Sequence, residues 1–134
     1  MGLIPFQTLR KSNHDGPVKP SCEVIRTSDE LKNFYDLLDY ENPHRDIIIP
    51  PVNFDTEMVL AVARGECPTE GYSVEIEEII EHEGKLIAMI YEINSEEGIQ
   101  TACSYPYHAV KTARYDGEIE FRKNGKLKSE TENK

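Results

Sequence analysis

The chain has 134 residues, of which 30% are charged and 38% hydrophobic, and its net charge is −10. That length suits one domain with a single core. The acidic balance excludes surfaces built to bind phosphate, which need clustered Lys and Arg, so neither nucleic acid nor an anionic membrane is expected as a partner.

Residues 1–20 carry Pro5, Pro17, Pro20, Gly2 and Gly16 with little periodicity and read as a loose N-terminal arm that docks through Leu3, Ile4 and Phe6. MGLIPFQTLRK has no basic leader and its apolar part is broken, so it is not a signal peptide. No apolar run reaches membrane-spanning length. The expectation is a soluble chain, cytoplasmic as it stands and extracytoplasmic if a leader has been removed. A single domain is expected over 21–123, followed by a polar tail over 124–134.

Cys22 to Arg26 is a short strand candidate. Thr27 and Glu30 then form a T-x-x-E capping box, with Asp29 and Glu30 placing acid in the first turn. Leu31, Phe34, Tyr35 and Leu38 follow at i, i+3, i+4 and i+7, which predicts a helix over Ser28 to Asp39 with one apolar face. Such a stripe packs on a sheet or, alternatively, binds a partner. Asn42-Pro43 ends the helix.

Ile47 to Ile49, stopped by Pro50-Pro51, suggests a brief edge strand. Glu57 to Arg64 is a buried strand. Tyr72, Val74 and Ile76 alternate with polar residues until Ile79 and Ile80 stand adjacent, which predicts a bulge near Glu78. His82-Glu83-Gly84 turns the chain, and Lys85 to Ile93 returns antiparallel. Ile99 to Cys103 and Tyr107 to Ala113 are further extended pieces. Asp116-Gly117 predicts a hairpin turn into Glu118 to Arg122, with Ile119 and Phe121 inward. The resulting class is mainly β: a two-layer antiparallel sandwich or partly open barrel of about seven strands, with one helix packed against it.

Motifs for chemistry are sparse. The odd set Cys22, Cys67 and Cys103 is no disulfide framework and reads as reduced, partly buried thiols. His14, His44, His82 and His108 lack partners at ligand spacing, so no metal and no cofactor are expected. A dyad of Cys67 or Cys103 with His108 would make a Cys/His enzyme, but no nucleophile elbow or oxyanion motif accompanies it. GECPTEGY lacks the Lys-Ser/Thr of a phosphate loop and leads into a strand.

Two segments stand apart: Gly65 to Tyr72, dense in Gly and Pro, and Ser104 to Val110. A loop stiffened by Gly and Pro loses little entropy on docking, and tyrosines anchor interfaces. The partner-binding candidates are Cys67, Pro68, Thr69, Glu70, Gly71, Tyr72, Tyr105, Pro106, Tyr107 and His108. The alternative is that Gly and Pro merely shape a turn while the tyrosines cap the core. Cys67 and Cys103 each stand before one of these loops and are expected to be neighbours without a bond.

The stretch VNFDTEMVLAVARGECPTEGYSVEIEEIIEHEGKLIAMIYEI, followed by TACSYPYHAVKT, resembles the C-terminal domain of PrcB, a protease complex subunit. The shared features are a strand ending in Gly65, the loop Pro68-Thr69-Glu70-Gly71-Tyr72, the hairpin Ser73 to Ile93, and Pro106-Tyr107-His108. Glu70 stands where the family commonly has a small residue. The resemblance implies a non-catalytic module that associates with and stabilises a subtilisin-type protease. Pro-Thr-x-Gly-Tyr is also similar to a loop of the chagasin-like cysteine protease inhibitors, whose later Arg-Pro-Trp loop falls near Tyr105-Pro106-Tyr107. That likeness implies inhibition by a loop wedge. Here Cys67 and Glu70 depart from the inhibitor pattern, and the chain has no Trp.

Overall fold

The computed structural model describes residues 2–13, 16–41, 51–68, 71–94 and 103–123, with the side chains of the helix described as far as Asp36. The readings of Ile47 to Ile49 and of Ile99 to Ala102 fall outside these residues. The described chain forms β1 (Gly2–Leu3), β2 (Phe6–Ser12), β3 (Ser21–Ile25), α1 (Ser28–Glu41), β4 (Glu57–Ala63), β5 (Ser73–His82), β6 (Lys85–Ile93), β7 (Tyr107–Ala113) and β8 (Glu118–Lys123).

The strands build two sheets. The middle sheet runs β2-β7-β4-β3 and the outer sheet β1-β5-β6-β8. With α1 on the far side of the middle sheet, the described residues form three layers. The all-apolar run of β4 follows from this position. Met58, Leu60 and Val62 point between the sheets, whereas Val59, Ala61 and Ala63 point at the helix. Burial on both faces removes the polar alternation expected of a half-wet strand.

The predicted helix forms two residues longer than expected. The amide of Glu30 donates to Thr27 Oγ1 at 3.1 Å, as a capping box requires. The Glu30 carboxylate in turn accepts from the amide of Arg26 at 2.8 Å, one residue before the cap. Leu31, Phe34 and Tyr35 are buried against Ile25, Val59, Ala61, Ala63, Tyr107 and Ala109. Each of the three contributes about 1.5–3 kcal/mol of burial. The alanines leave the sheet flat enough for the two rings to approach, and Phe34 meets Tyr35 and Tyr107 edge-on at 6.0 and 6.3 Å.

The bulge near Glu78 is present. Pairing of β5 with β6 shifts between Ile76 and Glu78, which leaves Glu77 as the extra residue. The hairpin turn is also where the pattern puts it. Glu83 and Gly84 take φ of 53° and 81°, the paired left-handed geometry of a two-residue hairpin.

Two expectations need correction. The N-terminal arm is not loose: β1 pairs with β5, and β2 pairs with β7 along six residue pairs. A bulge at Leu9, between Thr8 and Arg10, breaks the period of β2 and hides it from pattern reading. Nor does Asp116-Gly117 close a hairpin. Strand β8 leaves the middle sheet and joins the outer one, where it pairs with β6 in parallel from Lys85↔Glu118 to Ile90↔Lys123. The sheets are therefore antiparallel except at this pair. Ile119 and Phe121 do pack inward, against the core between the sheets. Arg26 holds the crossover by donating to the carbonyls of Tyr115 at 2.9 Å and Gly117 at 3.4 Å.

Candidate functional site

Both special loops lie at one end of the middle sheet, where β4 leaves and β7 begins. Cys67 and Ser104 form an isolated antiparallel bridge with reciprocal amide bonds of 2.8 and 3.0 Å. The amide of Arg64 donates to the carbonyl of Pro106 at 3.0 Å, extending the same ladder. The N-terminal segment closes the end: Gly16 donates to Tyr105 at 2.9 Å, Tyr105 to Asn13 at 2.9 Å, and Glu66 to Val18 at 3.0 Å. Gly65 is required here. Its φ is +81°, and a Cβ would stand 2.7 Å from Pro20 Cδ and 3.0 Å from the Val18 carbonyl.

The loops therefore meet, but only part of the predicted patch is surface. Pro68 and Gly71 are exposed, and Tyr72 and Tyr105 are half-buried. Cys67 and Pro106 are buried, and Thr69 and Glu70 lie outside the described residues. Gly71 has φ of 99°, so the loop turns through a conformation that favours glycine.

Tyr107 and His108 are not surface anchors. Tyr107 is 0% exposed and His108 3% exposed. Tyr107 packs beneath the helix, and Arg10 Nε donates to its hydroxyl, so even the polar end is satisfied inside. His108 points the other way, between the sheets. Its Nδ1 accepts the amide hydrogen of Ile76 at 2.9 Å, and its Nε2 lies 2.8 Å from Thr8 Oγ1. With Nδ1 accepting, Nε2 carries the hydrogen and donates to Thr8. Burial, aided by Lys11, pushes the imidazole down to about 4.

The cysteines are neighbours and unbonded. Cys67 shares its face of the ribbon with Ser104, so the adjacent Cys103 points to the opposite face. Burial raises the Cys67 thiol, which donates to the Gly65 carbonyl at 3.8 Å. The exposed Cys103 donates to Glu66 Oε2 at 3.0 Å, and that bond raises it above the ordinary thiol value. Neither thiol has the lowered value of an activated nucleophile.

Arg64, at the end of the β4 run, has a larger role than closing a strand. Its guanidinium donates to the carbonyls of Ser73 at 3.2 Å and Ile93 at 2.9 Å and to Asn94 Oδ1 at 2.7 Å. It also lies 3.7 Å from Glu92 and 5.2 Å from the centre of the Tyr72 ring. One side chain of the middle sheet thus fixes the start of β5, the end of β6 and the tyrosine between the loops. An Arg following an apolar strand is a common solvent-facing stop, so the sequence carried no separate signal for this role. The exposed part of the end comprises Glu66, Pro68, Gly71 and Cys103, with the half-buried Tyr72 and Tyr105 among them and Val18 42% exposed beside them.

This architecture defines a β-sandwich module with a helix on one face and two bridged loops at one end. Residues 58–113 match the model of the family described as PrcB C-terminal. The matched segment runs from β4 to β7, which are the two central strands of each sheet. The resemblance read from Gly65, the Pro68 loop and Pro106-Tyr107 thus holds over the centre of the fold, while the helix and the edge strands lie outside the match. Neither the curated proteins nor the solved structures gave a match. Among the described residues, no helix is long and apolar enough to cross a membrane.

Proposed function

We propose that the chain is a non-catalytic protein-binding module that associates with a protease of the subtilisin type and prolongs its life. The observation that carries this reading is the match of residues 58–113 to the PrcB C-terminal family. The geometry supports binding over catalysis: both thiols near the loops sit above their ordinary values, and both ring nitrogens of His108 are already used. The docking surface is the bridged loop end, with Tyr72 and Tyr105 as the aromatic contacts.

The test is the autolysis half-life of purified subtilisin with and without the chain, alongside direct binding by interferometry. A longer half-life that Tyr72→Ala or Tyr105→Ala reduces, with melting temperature retained, supports the reading. No binding and no change in half-life oppose it. A second reading, inhibition of papain-type proteases by the same loops, draws on the Cys67–Ser104 bridge, which holds the two loops side by side as a wedge requires. Inhibition of papain at nanomolar concentration, without an effect on subtilisin, would favour it.

A further inference from the structure

Among the described residues no element packs on the outer face of the outer sheet, although Ile87 near its centre is only 5% exposed. The helix covers the middle sheet, and the middle sheet covers the inner face of the outer sheet. On β6, Leu86, Ala88 and Ile90 belong to the inner core, so Ile87, Met89, Tyr91 and Ile93 point outward. On β5 beyond its bulge, Ile79 points inward and Glu78 and Ile80 outward. On β8, Ile119 and Phe121 point inward, leaving Glu118, Glu120 and Arg122 outward. Leu3, opposite Ile80, adds to the outer face.

Among the described residues, four large hydrophobics are exposed, and three of them lie here: Leu3 at 70%, Tyr91 at 37% and Ile93 at 47%. An apolar row along the axis of a sheet, flanked by charge, has the composition of an interface rather than of a solvated face.

The register decides the occupant. Glu78 pairs with Met89, and Met89 with Arg122. One cross-strand row therefore reads acid, apolar, base, and it is antisymmetric about β6. A two-fold axis in the interface and parallel to β6 sets β5 of one copy over β8 of the other. It places Glu78 of each copy opposite Arg122 of its mate and lays the β6 residues on themselves. Arg122 gives its Nε to Glu120 at 2.8 Å, and a guanidinium has further donors for a second carboxylate. Ile80 then covers the Glu120 carboxylate that Lys85 and Arg122 share, whose cationic partners have aliphatic stems, while Leu3 reaches past the edge of β8.

We propose that this face is where a second copy of the chain docks, forming a symmetric dimer by packing of the two outer sheets. The strands of the two copies run aligned, as in face-to-face sheet packing. Strands β5, β6 and β8, of 10, 9 and 6 residues, make a face of roughly 400 Å², or roughly 800 Å² across two copies, the scale of a weak, reversible dimer. The face borders the bridged loop end at Ile93, whose carbonyl Arg64 holds and which pairs with Ser73, and otherwise lies along the outer sheet.

Sedimentation velocity of the full chain over a concentration series, at about 0.15 M salt, tests the proposal. At that ionic strength repulsion between the acidic copies is screened beyond about 8 Å while contact pairs persist. The expected result is a monomer–dimer equilibrium in the micromolar range. Tyr91→Ser with Ile93→Ser, both at exposed positions, should weaken it at least tenfold. Glu78→Arg and Arg122→Glu should each weaken it, and the two together should restore it. Thermal melts of each variant separate dissociation from unfolding. A monomer at every concentration up to about millimolar overturns the proposal and leaves the face to a foreign chain. A dimer indifferent to all four substitutions also overturns it, because the contact then lies elsewhere.

Discussion

His108 on the middle sheet accepts the amide hydrogen of Ile76 on the outer sheet at 2.9 Å, and Ile76 is the residue at which β5 bulges. The other ring nitrogen meets Thr8, the residue at which β2 bulges. One imidazole therefore supplies partners at two interruptions of the ladders, on two sheets. An unpaired amide at Ile76 would cost on the order of 1–3 kcal/mol if left buried.

Stability should fall as pH drops from about 6.5 toward 4. His108 is neutral in the folded chain down to about 4, while the unfolded chain takes up a proton near 6.5. Between those values the unfolded state binds more protons, so protonation favours unfolding. The contribution is fully present above 6.5 and is lost as pH falls through this window, on the order of 3 kcal/mol. Denaturant titrations of wild type and His108→Gln at several pH values check it, because glutamine can make similar bonds without titrating. The difference between the two pH slopes is the measured quantity, and equal slopes would refute the assignment.

Tyr107→Ala should destabilise the fold by about 3–5 kcal/mol by opening a cavity beneath α1. Tyr107→Phe should cost about 1–2 kcal/mol, because it strands the Arg10 donor that now meets the hydroxyl. Urea midpoints separate the two. An alanine variant as stable as wild type would mean that Tyr107 is a surface residue.

Two glycines with the same φ of +81° should respond differently to alanine. Gly84 has nothing within 4 Å of a built Cβ, so Gly84→Ala carries only the left-handed penalty of about 1–2 kcal/mol. Gly65→Ala adds overlap with the backbone nitrogen and ring of Pro20, at 2.8 and 2.7 Å. The larger loss of melting temperature should therefore belong to Gly65. A larger loss at Gly84 would mean that Pro20 yields freely.

Thr27→Ala should cost about 1 kcal/mol, because it removes the hydroxyl that receives the amide of Glu30. The companion contact of Glu30 runs to Arg26 and stays in place, so the helix should persist. Circular dichroism with chemical unfolding provides the readout.

Local features of this fold were legible where one residue pair determines one geometry. Thr27 and Glu30 mark the helix start, Glu83-Gly84 the hairpin, and adjacent Ile79 and Ile80 the bulge. Partnership was not legible. Alternating Ile119 and Phe121 show that one face of β8 is buried but not which sheet receives it. The bulge at Leu9 erased the period of β2. Tyrosine suits both an interface and a core, and Tyr107 goes inside because Ala61, Ala63 and Ala109 leave room under the helix. The candidate end was found through its glycines and prolines, whereas Arg64, which clamps it, acts through carbonyls that no sequence pattern announces.

The parallel pairing of β8 has a consequence for how the molecule assembles. Its partner residues on β6 lie more than thirty positions earlier, and the chain between them passes through β7 in the other sheet. The outer sheet can grow the β5–β6 hairpin locally, but its last edge needs a longer loop to close. Loop-closure entropy is met before that contact returns any stability. Closure of the outer edge therefore follows the β5–β6 hairpin, and until it happens β6 presents an unpaired edge to any other extended chain.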